Sequence, residues 1–442
     1  MLSLIAALSL TIQAAPADDP ITAMRKKGLV ELGAYSLLHD LTTTVGHRLT
    51  GSPGCEQAIT WVQDKLRAMG ATNIGQVPCM IPKWTRGHHE SAVMSDGAAL
   101  SVCALGLSVG TPPEGIEAEV IEVKSLKEAE ALGERAKGRI IFYNRGFDQS
   151  KVGADYGGAV DQRSAGPGVA SKVGAVGVLV RSMTINRDDA PHTGTTRYGD
   201  ATPIPAAALG LVSADKLSAA LKSGPVKVKL TLSCANHPEV PSGSPYGEIR
   251  GWQKPDEVIV MGGHLDSWDL GTGAHDDGGG VVAAMEALRL MKELGLRPKR
   301  TIRVIGWQNE ETMGRGADSY LAYAQKAKEK HFAAIESDSG VFMPTAFGAT
   351  KSKLKRLAKW QPLLEDFGIH KFREGGGAAD NGPLEKVGAI LFSLDASGQR
   401  YFDLHHSRND TIANVHPREI EMCALAMGSL AWLLSERGDE LK

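Results

Sequence analysis

Histidine and carboxylate side chains are concentrated in one stretch of the second half of the chain. The stretch contains, in order, His264, Asp266, His275, Asp276, Asp277, Glu310 and Glu311. Imidazole nitrogens and carboxylate oxygens are ligands that borderline divalent metals such as zinc prefer in proteins. The alternative is a group of solvated loop residues, because Asp and Gly are also ordinary turn formers. Taken alone, the local pattern favours the metal site.

Two strands and one helix must position these side chains. The run at 258–261 is short, β-branched and closed by a Gly-Gly pair, which predicts a buried strand. Residues 278–294 carry apolar side chains at helical spacing and end before Gly295, and 301–307 predicts a second strand. In a parallel sheet the carboxyl ends of such strands face one crevice, where ligands bind. We therefore expect the acids and imidazoles that follow both strands to meet there.

A further acid and two histidines lie in the last quarter of the chain. Asp338 belongs to the motif ESDSG, directly after the apolar run 332–335, so it is another acid at the end of a predicted strand. His405 and His406 are adjacent in the motif YFDLHHSRND, which ends at Asp410.

The length of 442 residues exceeds the usual size of a single hydrophobic core, so two domains are expected. From about residue 105 to 235, short β-branched runs alternate with glycine-rich turns, which indicates a β-rich module inserted into the main domain. We therefore predict a first part of the main domain at 18–104, the insert at 105–235 and a catalytic part at 236–442. Few acids or histidines converge in the insert. His192 could reach a substrate, but an ordinary loop residue is the favoured interpretation.

Composition excludes several kinds of partner and site. The net charge of −2 gives no electrostatic reason to expect binding to nucleic acid or to an anionic membrane. The five cysteines are scattered without a CxxC pair, so a cysteine-based zinc site is excluded, while disulfide pairing stays open. Residues 1–17 form an apolar run that ends in small residues, as a secretory signal peptide does. No other apolar segment is long enough to span a membrane, and we expect a secreted or periplasmic protein.

Taken together, the motifs resemble the two-zinc exopeptidases, the superfamily of bacterial leucine aminopeptidases and glutamate carboxypeptidases. The segments that carry the resemblance are GGHLDSWDLGTGA, DDGGG, LGLRPKRT, the Glu-Glu pair, ESDSG, GGGA and RYFDLHHS. The likeness covers nearly the whole chain after residue 17. It implies an α/β fold, with a three-layer α/β/α zinc-exopeptidase domain around a mixed sheet and an inserted, β-rich protease-associated domain.

The resemblance also implies a site for two Zn²⁺ ions per chain. Carried over position by position, one ion would be held by His264, Asp276 and Asp338, and the other by Asp276, Glu311 and His406. Asp276 would bridge the ions, which lie roughly 3.5–4 Å apart in sites of this kind. Co²⁺ or Mn²⁺ would suit the same ligands. The spacing to Asp410 favours His406 over His405. His275 is not expected to be a ligand.

Two further carboxylates have implied roles in catalysis. Glu310 would be the general base that takes a proton from the water bridging the metals and passes it to the leaving amine. Asp266 would accept a hydrogen bond from the second ring nitrogen of His264 and so orient that ligand. In this family the peptide bond equivalent to Asp276–Asp277 is cis, and we expect the same here.

The predicted function is that of an exported dizinc exopeptidase, expected as a homodimer, that hydrolyses dipeptides or short peptides. An aminopeptidase for longer peptides and a carboxypeptidase are alternatives within the same chemistry. A non-catalytic binding protein, as the transferrin receptor ectodomain is, is a remote alternative, because such proteins normally lose ligands that are all present here. A glutaminyl cyclase with a single zinc is a third alternative, which the two-ion ligand set and the insert disfavour.

Overall fold

Two mixed β-sheets organise the chain, and each has eight strands. The computed structural model describes residues 19–148, 151 and 155–442. The predicted secretory signal at 1–17 lies outside these described residues. Strands and helices alternate along much of the chain, as they do in α/β proteins.

The elements are numbered in chain order. The strands are β1 (Thr72–Thr85), β2 (Glu90–Met94), β3 (Ala99–Leu100), β4 (Val102–Ala104), β5 (Ile116–Val123), β6 (Ile140–Tyr143), β7 (Gly177–Arg181), β8 (Ala206–Leu209), β9 (Lys227–Leu232), β10 (Ala235–Ile249), β11 (Lys254–His264), β12 (Arg300–Trp307), β13 (Lys330–Glu336), β14 (Pro344–Ala349), β15 (Phe372–Glu374) and β16 (Ile390–Ala396). The α-helices are α1 (Pro20–Glu31), α2 (Gly33–Thr44), α3 (Pro53–Ala68), α4 (Leu126–Leu132), α5 (Tyr156–Ala159), α6 (Asp161–Ser164), α7 (Gly166–Lys172), α8 (Leu211–Ser223), α9 (Gly279–Glu293), α10 (Arg315–Ala327), α11 (Leu354–Leu357), α12 (Tyr401–Leu404) and α13 (Pro417–Arg437).

The first sheet has the strand order β1-β10-β12-β11-β13-β16-β14-β15. Its four central strands, β12, β11, β13 and β16, are parallel to one another, and antiparallel pairs flank them. Central parallel strands are covered on both faces, which is why they read as continuous apolar runs. The predicted strands at 258–261, 301–307 and 332–335 are confirmed as parts of β11, β12 and β13, and the predicted helix at 278–294 is α9.

Helices cover both faces of the first sheet. Ile259 and Met261 of β11 pack into the core that contains residues of α2, α3, α9 and α13. Val260, which lies between them in sequence, faces the opposite core, where Tyr320 of α10 packs. This alternation of side chains along a strand gives three layers, helices, sheet and helices. The predicted mixed α/β fold is confirmed.

The second sheet has the order β3-β2-β9-β5-β6-β7-β8-β4, again with four parallel strands, β5 to β8. We call residues 90–232, which contain all its strands, the second-sheet unit. Because β2 pairs with β9, residues 90–104 belong to this sheet, although we predicted the insert to begin at 105. Strands β2, β3 and β4 are short and carry at most one β-branched residue each, so their sequences gave little signal. That this unit is a protease-associated domain stays a prediction.

The longest helix, α13, has 21 residues and is buried along most of its length. It packs against α9 on one face of the first sheet, which accounts for its apolar character. Among the described helices, none combines the length and the apolarity needed to cross a membrane.

Candidate metal centre

Four of the predicted site residues lie at the carboxyl ends of adjacent parallel strands. His264 is the last residue of β11, and Asp338 lies two residues after the end of β13. Glu310 and Glu311 follow β12, which pairs with β11. The strands β12, β11 and β13 are neighbours in the sheet. Their ends form one crevice, as the sequence predicted for a parallel sheet.

Asp276 and His406 reach the crevice from loops. Asp276 lies in the turn Ala274–Gly278, which leads into α9. Its peptide bond to Asp277 is cis, as predicted. His406 follows α12 and has a left-handed backbone conformation, with φ 62°. Both side chains are buried.

His264, Asp276 and Asp338 form the first potential ligand group. Nε2 of His264 lies 3.2 Å from Oδ1 of Asp276 and 3.6 Å from Oδ1 of Asp338. One ligand atom from each residue lies within 4.8 Å of the other two. Nδ1 of His264 donates a hydrogen bond to a backbone carbonyl 2.9 Å away. Nε2 is therefore the nitrogen whose lone pair is available to a metal.

Asp276, Glu311 and His406 form the second potential ligand group. Nε2 of His406 lies 3.3 Å from Oδ2 of Asp276 and 2.9 Å from Oε2 of Glu311. Asp276 thus presents one carboxylate oxygen to each imidazole. The indole N–H of Trp268 donates a hydrogen bond to Oε2 of Glu311 at 2.6 Å, which orients that carboxylate.

Buried oxygens without partners fit a site for cations. Oδ2 of Asp276 and Oε1 of Glu311 are buried and make no hydrogen bond. Such atoms are costly to bury unless an ion or another partner meets them. Burial raises the pKa of Glu311 and of Asp338. Burial would also raise the pKa of Asp276, but the surrounding imidazoles hold it well below its usual range. The donor set therefore fits the binding of divalent metal.

His405 also lies near the carboxylate of Asp276, and one potential ligand atom from each of Asp276, His405 and His406 lies within 4.8 Å of the other two. Nε2 of His405 is 3.6 Å from Oδ2 of Asp276, and the ring of this residue stacks on that of His406 with the centroids 3.5 Å apart. Of the two histidines, only His406 is paired with Glu311 among the described residues. The ring of His405 also contacts three aromatic side chains, Tyr156, Tyr401 and Phe402. The contact with Glu311 favours His406, the histidine that the resemblance implied.

His275 uses both of its ring nitrogens outside the ligand groups. Nδ1 accepts the backbone N–H of Val341 at 3.2 Å, and Nε2 donates to the carbonyl of Asn414 at 3.1 Å. The carboxylate of Asp410 accepts the backbone N–H groups of His275 and Asp276, at 2.7 and 3.1 Å. Asp410 therefore fixes the turn that carries the carboxylate of Asp276, and His275 has no nitrogen left for a metal.

Asp266 supports the site differently from the sequence prediction. The acceptor for Nδ1 of His264 is the backbone carbonyl of Asp266, whereas the nearer carboxylate oxygen, Oδ1, is 3.8 Å away. The carboxylate instead accepts the backbone N–H groups of Glu310 and Glu311, at 3.1 and 3.3 Å, and the hydroxyl of Thr50 at 2.8 Å. Because those two N–H groups follow the end of β12 and need acceptors, the carboxylate is drawn to them. Asp266 therefore fixes the loop that carries both glutamates.

Glu310 lies beside the ligands and lines the cleft in front of them. Within the described part of the chain, its carboxylate makes no hydrogen bond or ion pair. Burial, with a contribution from the charges of Asp338 and Glu311, raises its pKa well above the usual range. A carboxylate that is held near the ligands and kept without a partner is suited to proton transfer.

The cleft has a volume of about 440 Å³ and lies between the two sheets. Its wall from the second-sheet unit consists of Tyr156, Val160, Arg163, Ser164, Thr195 and Arg197. Two guanidinium groups therefore line the same cleft as the acids of the first sheet. The sequence gives no sign of this wall, because no motif in the insert marks residues that are distant in sequence from the predicted ligands.

Other residues that contact the ligands were also missed. They are Arg163, Thr193, Thr195 and Trp268. Trp268 lies within the motif GGHLDSWDLGTGA, so a signal for it existed in the sequence. His192, interpreted as an ordinary loop residue, is buried directly beside Thr193.

The comparisons with known proteins agree with this geometry. The profile of peptidase family M28 matches residues 246–431, which include every predicted ligand. Carboxypeptidase Q of Bos taurus is 35% identical over 415 residues, which are 92% of this chain and 86% of that protein.

Solved structures extend the similarity to the whole fold. A peptidase M28 precursor from Shewanella amazonensis has a TM-score of 0.91 and 31% identity, and the match covers 96% of this chain and 97% of that one. A zinc aminopeptidase from Bacillus subtilis shares the fold at 18% identity, with a TM-score of 0.66 over 90% of this chain and 93% of that one. The resemblance to these exopeptidases that the motifs indicated is confirmed. The chain belongs to peptidase family M28 and is a metallopeptidase, a hydrolase.

Proposed function

We propose that this metallopeptidase binds two Zn²⁺ ions and hydrolyses dipeptides or short peptides in the cleft between its sheets. The observation that carries the proposal is the position of Asp276. Its two carboxylate oxygens face the imidazoles of His264 and His406, at 3.2 and 3.3 Å. A carboxylate shared between two imidazole-containing groups suits a pair of ions better than a single ion.

Each ion would have three protein ligands. One would be held by His264, Asp276 and Asp338, and the other by Asp276, Glu311 and His406. Three ligands leave a coordination position open, which distinguishes catalytic from structural zinc sites. When bound, such ions lower the pKa of water and polarise the peptide carbonyl. The similarity to a zinc aminopeptidase supports zinc, and Co²⁺ or Mn²⁺ would suit the same ligands.

Glu310 is the proton carrier in this proposal. Its carboxylate takes a proton from the attacking water and then delivers it to the nitrogen of the leaving amine. The carboxylate of Asp266 holds the backbone N–H groups of Glu310 and Glu311 and so keeps the base and the neighbouring ligand in a fixed relation. Hydrolysis then needs no other titrating group from the chain.

The volume and the charges of the cleft support a short substrate with a free carboxyl terminus. Arg197 is exposed in the cleft, and the described residues provide no ion-pair partner for its guanidinium. Arginine binds carboxylates through two parallel N–H donors. An aminopeptidase acting on longer peptides is the second candidate, which the similarity to the Bacillus subtilis enzyme favours. The relatives named carboxypeptidase Q favour the first.

Metal analysis and a small set of peptides test the proposal. The purified protein should bind two equivalents of Zn²⁺ and hydrolyse a dipeptide faster than the matching tripeptide. Amidation of the dipeptide's carboxyl terminus should abolish most of the rate if Arg197 binds it. A faster rate on the tripeptide and tolerance of the amide would instead identify an aminopeptidase for longer chains. Binding of fewer than two equivalents would contradict the two-ion site.

We also propose that the protein is exported and forms a homodimer. Export is suggested by residues 1–17 and the dimer by the resemblance to the two-zinc exopeptidases. Intact mass measurement of the protein recovered outside the cytoplasm should show the loss of these residues. Light scattering should give twice the mass of one chain, and a single-chain mass would contradict the dimer.

A further inference from the structure

The second-sheet unit makes direct hydrogen bonds to two of the five predicted ligands. The hydroxyl of Thr195 donates to the backbone carbonyl of Glu311 at 2.6 Å. The backbone N–H of Thr193 donates to the carbonyl of His406 at 2.9 Å. Both threonines are buried. A single short segment thus fixes the backbone of two ligands that are far apart in sequence.

The same segment also contacts the ring of His406 on the side that faces away from the acids. The carbonyl oxygen of Thr193 lies 3.3 Å from Nδ1 of His406. A guanidinium nitrogen of Arg163 lies 3.2 Å from the same Nδ1, so the second-sheet unit places both an acceptor and a donor beside this nitrogen. Arg163 donates to the same carbonyl at 3.2 Å and so helps to keep it in place. Nε2 is the atom that faces Asp276 and Glu311.

Trp268 extends this support to the carboxylate of Glu311. Its indole N–H donates to Oε2 of that residue at 2.6 Å. The ring is part of a hydrophobic core built mostly from the second-sheet unit, where it also meets Trp84 of β1 edge-to-face with the centroids 6.4 Å apart. Gly106 lies so close to the indole that a Cβ atom there would overlap it. The core of the second-sheet unit therefore sets the orientation of the donor that holds Glu311.

The other ligand group receives no such support. Nδ1 of His264 donates to the carbonyl of Asp266, and its backbone N–H donates to the carboxylate of Asp277 at 3.1 Å. These partners belong to the first sheet and its loops. Among the residues that the structure describes, none between 90 and 232 makes a hydrogen bond to His264 or Asp338.

We propose that the second-sheet unit sets the metal affinity of one position only, the one formed by Asp276, Glu311 and His406. Thr193, Thr195 and Trp268 are its positioning residues. The position formed by His264, Asp276 and Asp338 is independent of the unit. This inference rests on the two-ion site proposed above. It implies that the two metal positions are supported by different parts of the chain.

Replacement of Thr195 by valine tests the inference, because valine keeps the shape and removes the hydroxyl. Zn²⁺ binding is measured by competition with a chelator of known affinity. The wild type should bind two equivalents. Thr195→Val should keep one equivalent at the wild-type affinity and bind the other about 10–100-fold more weakly, the usual cost of losing a group that orients a ligand.

Thr196→Val is the matched control. Thr196 is the next residue, it is also buried, and its hydroxyl makes no hydrogen bond to any residue that the structure describes. This variant should bind both equivalents as the wild type does. Weakening of both equivalents in Thr195→Val, or of neither, would overturn the inference, and so would the same loss in Thr196→Val.

Two further variants make the assignment specific. In an Asp338→Ala background only the position of Glu311 and His406 stays complete, so Thr195→Val should there weaken the remaining strong equivalent by the full 10–100-fold. Trp268→Phe keeps a ring in the core and removes the N–H, and should reproduce the loss if Thr195→Val does not fold. Fewer than two equivalents in the wild type would instead contradict the proposed function, which separates the two failures.

Discussion

Buried carboxylates occur in two regions of the molecule, and the two regions satisfy them differently. At the metal centre, Asp276 and Glu311 keep oxygens without hydrogen-bond partners beside two imidazoles. Between α9 and α13, Glu286 accepts two hydrogen bonds from Arg289, at 2.7 and 2.6 Å. Glu421 in the same helical layer accepts a backbone N–H through Oε2 at 3.1 Å, while its Oε1 is also buried without a hydrogen-bond partner.

The counter-charge explains the difference. In the helical layer a guanidinium neutralises one acid, and burial, together with the charge of Glu286, raises the pKa of Glu421 to about 8. Glu286, paired with Arg289, and Glu421, with its raised pKa, are therefore nearly neutral together without any ligand. At the metal centre the described ion pairs of the ligand carboxylates are with imidazoles only. The comparison shows that the way in which the charge of buried acids is compensated, rather than their burial or a missing hydrogen bond, points to a site for cations.

The largest expected effect is on kcat, and a change at the metal centre should lower it while the same change in the helical layer should not. Glu310→Gln should lower kcat about 10²–10⁴-fold, because the amide cannot take the proton from water. Its metal content should equal that of the wild type. Glu421→Gln, the same chemical change in the helical layer, should leave kcat unaltered. Steady-state kinetics with metal analysis measures both, and a near-normal kcat in Glu310→Gln would assign the base elsewhere.

Removal of metal should lower the free energy of unfolding through the metal centre and not through the helical layer. Free Zn²⁺ at about 100 times its dissociation constant should raise the free energy of unfolding by about 2.7 kcal/mol for each occupied position. Denaturant unfolding with and without a chelator gives this increment. The increment should be unchanged in Glu421→Gln and smaller in His406→Ala. An equal increment in His406→Ala would remove that histidine from the ligand set.

The smallest expected effect is a pH dependence of the helical layer. Some carboxyl groups have a higher pKa in the folded protein than in the unfolded chain. Such a group contributes its full stabilisation at pH values below the unfolded pKa, and this contribution is lost as the pH rises through the folded pKa. For Glu421 the window runs from about 4.5 to about 8. Across it, the free energy of unfolding should fall by up to about 1.4 kcal/mol per pH unit for one proton.

Variants of α13 isolate that contribution. Glu421→Gln should flatten the decline between these pH values, because the amide does not titrate. Glu419→Gln, two residues earlier on the same helix and partly exposed, should keep the wild-type slope. Denaturant unfolding at several pH values measures the difference between the two profiles. Identical profiles for Glu421→Gln and the wild type would show that Glu421 is ionised in both states.

Much of the first sheet could be predicted from the sequence. The runs at 258–261 and 301–307 are continuous and apolar because parallel central strands are covered on both faces. Once the strands are known, the carboxyl-end rule brings His264 and Asp338 together without further information. The resemblance added Asp276 and His406, which lie on loops that no periodicity describes, and it also indicated the cis bond that the structure contains.

What the sequence did not reveal depends on contacts between distant segments. Thr195 contacts Glu311 across 116 positions of the chain, and nothing in the local sequence of either residue marks the other. The role of Asp266 differs from the predicted one because the residue offers two acceptors, a carboxylate and a backbone carbonyl. Only the geometry decides which of them accepts from His264 and which from Glu310. The start of the second sheet at Glu90 was missed because its first strands are short and poor in β-branched residues.

Trp268 belongs to the first-sheet part by its backbone and to the second-sheet unit by its ring, which has a consequence for the order in which the two parts assemble. The residue lies in the loop after β11, yet its ring packs in a core built mostly from residues 90–232. Neither unit can therefore mature in isolation with Glu311 correctly oriented. In the proposed two-ion site, a cation held by Glu311 would therefore bind only after both parts of the polypeptide have docked.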